Sequence, residues 1–253
     1  MFLGIVPYLS SRALLIEHAP LKQFLEQRLS LTIHLASAQD PHRFTGRLMR
    51  GDFDFALVPP HLARLVQKEH GFLPLQAIKT DFYALLLVNK AEPVNVVADL
   101  KGREVHLPHH LSLVSLQVER YLQAQGLVPR QQLKLRYYNT DNNAVLALAG
   151  AREGAAATSR TVFERMPQDI RSSMRILGST ASVTSLVFVA HPRMPAARLA
   201  ALRAALDEFP YSEAGMNFLQ GRGMNLVPIE AADLSSWDYL LPDLRNDVRE
   251  FLP

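Results

Sequence analysis

The side chains of this chain with chemical potential fall where the pattern predicts loops. They are Tyr8 and Ser10, His61, Tyr83, His110 with Ser112, Asp141 with Asn142, and Thr158 with Ser159. Hydroxyls, amides and imidazoles in such a set can orient a small anionic or polar solute, and the tyrosines can wall it. Acid–base chemistry would have to come from Asp40, His61 or Asp141, yet turn, cap and solvent roles explain all three equally well. Ser112 and Asn142 are also good helix N-caps, a role that requires no ligand. His106, His109 and His110 invite a metal reading, but Pro108 between them prevents one helical face from carrying all three, so no metal is expected. Cysteine is absent, which removes disulfides, thiolate metal sites and cysteine nucleophiles. No Gly-x-Ser-x-Gly elbow, His-Glu-x-x-His or phosphate loop is present, and Gly221-Arg222-Gly223 reads as a helix stop. The sequence therefore predicts binding without catalysis, and no cofactor.

The elements that must hold these residues follow from periodicity. A short apolar run at Leu3–Val6, a long helix to about Leu29 with Leu14, Leu15, Leu21, Phe24 and Leu25 as its apolar face, a strand at Leu31–Leu35, a helix ending near Arg50, and a strand at Phe53–Val58 make βαβαβ. The layout recurs from Val105: strand to Leu107, helix Ser112–Gln125, strand Leu133–Tyr138, helix Asn142–Ala149, strand Ala155–Thr158. Tyr8 to Asp40 and His109 to Asp141 both span 32 residues. Two similar α/β units are therefore expected, each a mainly parallel sheet flanked by helices, because parallel neighbours require crossover helices. In such sheets ligands sit beyond the carboxyl ends of the strands, which is where the candidate residues lie.

Between the units run two apolar strands, Asp81–Lys90 and Ser185–Ala190. One passage out and one back predict a discontinuous first lobe, residues 1–83 plus 192–253, around a second lobe of residues 84–191 that includes the crossing strands. Phe82–Leu86 and Ser185–Val189 are the expected hinges. The tail, with Leu199, Leu202, Leu206 and Phe209 as a core stripe and Met216 and Met224 as core fillers, is expected to pack on the first lobe.

The 253 residues are 48% apolar and 20% charged with mean hydropathy +0.01, which excludes disorder and coiled coil. Lys and Arg number 27 against 24 for Asp and Glu, scattered without runs, so no nucleic-acid surface is expected. The apolar runs fall far below the ~18 residues a membrane span needs. Met1 stands directly before a strand-like segment, with no leader pattern.

In this order and spacing, four segments carry a resemblance. Gly4-Ile5-Val6-Pro7-Tyr8-Leu9-Ser10, Ala19–Glu26, Gly51-Asp52-Phe53-Asp54-Phe55-Ala56 and Ala98-Asp99-Leu100-Lys101-Gly102-Arg103-Glu104-Val105 resemble the phosphonate-type substrate-binding proteins of ABC importers, with Asp99–Val105 the most diagnostic. The resemblance implies a two-lobed periplasmic-binding-protein-like fold with two crossing hinge strands, and a monomeric receptor that closes on a small-molecule ligand. It implies an ABC permease or a membrane sensor as partner, and a periplasmic location if a leader has been removed, the cytoplasm staying open.

The family's phosphonate chemistry carries over poorly. Where phosphonate binders have a Ser-Thr-Ser run, this chain has Leu111-Ser112-Leu113, with Ser115 nearby; Pro41 stands for a tyrosine, Asp141 for a histidine, and Thr161 and Thr184 for carboxylates. A diverged ligand is therefore expected. Two alternatives stay open: a ligand-sensing module for a signalling partner, and an enzyme similar to the menaquinone-pathway dehydratases acting on chorismate, whose opening resembles Val6-Pro7-Tyr8-Leu9.

Overall fold

The computed structural model describes residues 1–80, 82–151, 153–183, 186–219 and 223–251. In chain order the elements are β1 (Phe2–Ile5), α1 (Ser11–Leu29), β2 (His34–Ala36), α2 (Pro41–Met49), β3 (Phe55–Val58), α3 (Pro60–His70) and β4 (Leu73–Lys79). They continue with β5 (Ala84–Asn89), β6 (Glu104–Leu107), α4 (Leu113–Ala124), β7 (Lys134–Tyr137), α5 (Asp141–Gly150), β8 (Ala155–Ser159), α6 (Arg160–Glu164), α7 (Gln168–Ser173) and β9 (Met174–Ser179). The last are β10 (Leu186–Ala190), α8 (Ala196–Glu208), α9 (Glu213–Leu219), β11 (Asn225–Pro228) and α10 (Leu241–Asp247). The chain forms two compact units, Met1–Asp81 with Thr184–Pro253, and Phe82–Val183.

The first unit is a six-stranded sheet in the order β11-β4-β10-β3-β1-β2. β1 runs parallel to β2 and β3, while β10 is antiparallel to β3 and β4. Every residue of β3 is buried, as expected of a central strand covered on both faces. Gly4 in β1 is required by packing: a Cβ there would lie 2.6 Å from the Phe53 ring. α1 turns Leu14, His18, Leu21 and Leu25 inward at helical spacing, and Leu202, Leu206 and Phe209 join them in one core.

The second unit is a five-stranded sheet in the order β7-β6-β8-β5-β9, with β6 parallel to β7 and β8, and β5 antiparallel to β8 and β9. Strand alternation splits its core in two. Ala84, Leu86 and Val88 face Val105, Leu107, Val118 and Leu122, whereas Leu85 and Leu87 face Val145, Leu148 and Ala156.

The most diagnostic segment of the resemblance serves this architecture. Asp99 Oδ2 accepts from Asn95 N at 2.8 Å and Val96 N at 3.0 Å, Leu100 is in the core, and Gly102 turns the chain at φ +81°. Arg103 Nη1 donates to the buried Glu92 at 2.6 Å, and Glu92 also accepts from Gly154 N at 2.9 Å. Gly154 has φ +112°, and a Cβ there would meet Glu104 O at 2.5 Å, so no other residue fits that approach.

Several expectations are corrected. The boundary 84–191 is displaced, because β10 pairs with β3 and β4 and so belongs to the first unit's sheet. Of the expected hinge residues, Leu85, Leu86 and Val187–Val189 are ladder-bonded inside strands; Ser185, like Thr184 and Gly221-Arg222, lies outside the described residues. Leu15 and Met216 are 51% and 41% exposed rather than core. The chain ends in a 3-10 segment at Ala231–Leu240 followed by α10 and a short 3-10 turn at Arg249–Phe251. β4, β9 and β11, three antiparallel members of the sheets, were not expected at all.

Candidate ligand-binding site

In the first unit the parallel strands β1, β2 and β3 deliver their carboxyl ends to the loops opening α1, α2 and α3. Ser10 caps α1, its hydroxyl accepting from Ala13 N at 3.4 Å, and it is exposed. Tyr8 folds back along α1: its hydroxyl donates to Glu17 Oε1 at 3.1 Å and lies 2.9 Å from His18 Nε2. Asp40 caps α2, accepting from Arg43 N at 2.8 Å. His61 lies in the first turn of α3 and is fully buried, its ring 6.2 Å from that of Trp237. The 3-10 segment that brings Trp237 is held on α3 by the ion pair of Arg64 with Asp238, at 2.5 and 2.8 Å. His61, expected to donate to a solute, is instead enclosed by this strap.

In the second unit β6, β7 and β8 end at the loops opening α4, α5 and α6. Ser112 caps α4: Ser115 N donates to its hydroxyl at 3.1 Å. The Ser112 hydroxyl in turn donates to Ser115 Oγ at 3.1 Å, and Ser115 Oγ donates to Pro108 O at 2.9 Å. Both hydroxyls are thus drawn into the loop. His110 stacks on His109 at 4.3 Å and meets Tyr137 edge-on at 6.0 Å. The cap of α5 is Thr140, whose hydroxyl accepts from Asn143 N at 3.2 Å. This corrects Asn142 as a cap; Asn142 is an exposed residue of the first turn.

Asp141, next to it, is buried, and its Oδ2 accepts from Ser159 N at 2.8 Å. Burial pushes its carboxyl above the usual aspartate range, against the lowering effect of that hydrogen bond. Thr158 and Ser159 are buried beside it, with Thr158 Oγ1 3.3 Å from Ser159 O. Across the ladder from β8, Ala84 pairs with Ser159, which sets Tyr83 beside Arg160. Arg160 lies over the Tyr83 ring, 5.6 Å from its centroid, and donates to the Tyr83 hydroxyl. Its Nε donates to Glu164 at 2.5 Å.

The second unit thus brings Tyr83, Asp141, Thr158 and Ser159 together at one sheet edge, and His110 and Ser112 at the end of β6 along that edge. Tyr8, Ser10 and His61 belong to the first unit. Arg160 is not among the residues that the sequence singles out. Its i, i+4 spacing to Glu164 was the available signal; its neighbour Tyr83, 77 positions away, became visible only with the β5–β8 register. Among the described residues no group of three or more His, Asp or Glu could hold a metal ion, and no helix is long and apolar enough to cross a membrane.

A sequence model of the family "ABC transporter, phosphonate, periplasmic substrate-binding protein" matches residues 3–237. The chain belongs to this family. Solved structures agree on the fold. PhnD1 from Prochlorococcus marinus, in complex with methylphosphonate, superposes with a TM-score of 0.84 at 13% identity, covering 97% of this chain and 98% of that one. A binding-protein component of an ABC phosphonate transporter from Pseudomonas aeruginosa gives 0.78 at 15% identity, over 99% and 98%. The periplasmic aliphatic sulphonate-binding protein SsuA from Escherichia coli gives 0.71 at 16%, over 100% and 96%. The chain is thus a two-lobed periplasmic binding protein of the ABC-importer type, in a family of binding proteins rather than enzymes. Membership implies a small-molecule ligand, an ABC permease as partner and a periplasmic location.

Proposed function

We propose that this substrate-binding protein takes a small polar or anionic solute other than a simple phosphonate, at loops on the carboxyl edges of its parallel strands, and has no chemical activity of its own. The exposed or half-exposed Tyr8, Ser10, Tyr83, His110, Ser112 and Asn142 are the proposed contacts. The buried Asp141, Thr158 and Ser159 shape the edge behind them. Closure of the lobes about the linking segments is part of the proposal. Phe82 and Val183, where the chain enters and leaves the second unit, form an isolated antiparallel bridge, Val183 N donating to Phe82 O at 2.9 Å, so the two linkers would bend as one.

The observation that carries binding over catalysis is that each acid–base candidate already has a structural role. Asp40 caps α2, His61 is enclosed under Trp237, and Asp141 holds Ser159 N. Removing a proton from a substrate requires a base within about 3 Å of it, and none of the three offers a free one. Incubation with chorismate followed by chromatography for 3-enolpyruvyl-benzoate is expected to show no product. Turnover that disappears in Asp141→Asn would replace the receptor reading with an enzyme. Small-angle scattering is expected to show contraction at saturating ligand.

A further inference from the structure

We infer that Arg160, held on Tyr83, is the specificity-determining contact for a carboxylate group of the solute, with Glu164 as an internal stand-in that the solute displaces. This rests on the receptor reading and names the ligand chemistry of one edge of the second unit. Arg160 follows the last residue of β8, beside Ser159 and Asp141, where a ligand of a parallel sheet is met. Its guanidinium is fixed rather than free: it lies against the Tyr83 ring, donates to the Tyr83 hydroxyl, and its backbone N–H reaches Tyr83 O at 3.3 Å.

At the same time the side chain is 53% exposed, so solute can reach the fork. Several other donors along this edge are engaged within their own loops. Ser112, Ser115 and Thr140 serve their own loops, and Ser159 N serves Asp141. The chain also shows what the fork accepts, since a carboxylate, that of Glu164, already sits on Nε at 2.5 Å. An exposed i, i+4 pair of this kind is weak, whereas a solute carboxylate can meet the guanidinium through two parallel N–H groups. Glu164 is therefore a weak internal competitor for that carboxylate.

The test is calorimetric titration of the full chain with acetate, malonate, succinate and glutarate, each paired with its neutral amide. At least one carboxylate is expected to bind about tenfold or more tighter than its amide. Arg160→Gln is expected to erase that preference. Arg160→Lys, which keeps the charge but loses the fork, is expected to keep only part of it, and Glu164→Gln to raise carboxylate affinity several-fold by removing the internal competitor. A preference unchanged in Arg160→Gln, amides that bind as well as the acids, or no carboxylate binding at all would overturn the inference. If an amide or another uncharged solute binds with contraction in scattering, the receptor reading stands without it. If no solute of either kind binds, that reading fails as well.

Discussion

Asp141 Oδ2 accepts the backbone N–H of Ser159 at 2.8 Å, tying the first turn of α5 to the end of β8. The bond fixes the relative placement of two neighbouring strand-end loops, and it buries a carboxylate to do so. Because burial raises this carboxyl above its unfolded value, the folded state holds the proton more tightly. The associated stability is present below the unfolded value of about 3.9 and is lost as pH rises through the folded value. Asp141→Asn keeps an acceptor for Ser159 N without the charge. Its melting temperature is expected to exceed the wild type's by a margin that grows as pH rises from about 4 to 7. Asp141→Ala leaves Ser159 N unpaired and is expected to cost about 1–3 kcal/mol at low pH, a cost that shrinks as the wild-type carboxyl ionises. A margin that shrinks with rising pH would refute the assignment.

His106 gives the opposite sign. It is buried on β6 with Nδ1 2.8 Å from the Tyr138 hydroxyl, and its Nε2 is buried with no hydrogen-bond partner. Protonation would place charge on an N–H with no acceptor, and burial accordingly holds this imidazole below the ordinary histidine range; Glu104 opposes the shift and Arg136 adds to it. Stability from neutral His106 is present above about 6.5 and is lost as pH falls through the lower folded value. The resistance of the wild type to urea is expected to fall on acidification below about 6.5, and His106→Gln to lose part of that dependence. Identical pH slopes in the two proteins would remove His106 from the account.

Arg103 and Glu92 offer a test of what the family's most diagnostic segment is for. Glu92 is nearly inaccessible, and Arg103 Nη1 and Gly154 N satisfy one of its oxygens at 2.6 and 2.9 Å. Removing the guanidinium leaves a buried charge without its counter-ion, which typically costs about 3–5 kcal/mol. Arg103→Ala is expected to lower stability by that order, while Glu92→Gln with Arg103→Met is expected to recover much of the loss. Altered solute affinity in a variant that still folds would mean the segment serves the ligand rather than the fold.

Periodicity made the repeated βαβαβ units legible, because β1 and β3 are apolar runs, β6 alternates, and turn residues and helix openings follow each of them. Three antiparallel members, β4, β9 and β11, escaped. β9 has Ile176 exposed and β11 is short and half-buried, so neither shows an uninterrupted apolar run or clean alternation, and β10 joins a sheet whose partners are more than a hundred residues away. Among the candidate side chains, the two cap positions read locally came out within two residues: Ser112 caps its helix, and Thr140 takes the place given to Asn142. Burial could not be read locally. His61 looks like any loop histidine until Trp237, in a segment 176 positions later, closes over it.

The last prediction concerns the ligand that the family's description brings to mind. Phosphonate and phosphate oxygens are strong acceptors and need several donors turned toward them, usually hydroxyls and free N–H groups at a helix start. At the start of α4 the two hydroxyls that could serve, Ser112 and Ser115, bond each other, Ser115 N and Pro108 O. Turning them outward would break the cap, at about 1 kcal/mol, and leave Pro108 O without its donor. Behind this edge the carboxyl of Asp141 opposes an incoming dianion whenever it is ionised. Calorimetry with methylphosphonate and inorganic phosphate is therefore expected to give weak binding or none, and Ser112→Ala to change stability more than it changes any residual affinity. Submicromolar methylphosphonate binding that is lost in Ser112→Ala would show that the loop opens its hydroxyls to the ligand, and would restore phosphonate as the solute.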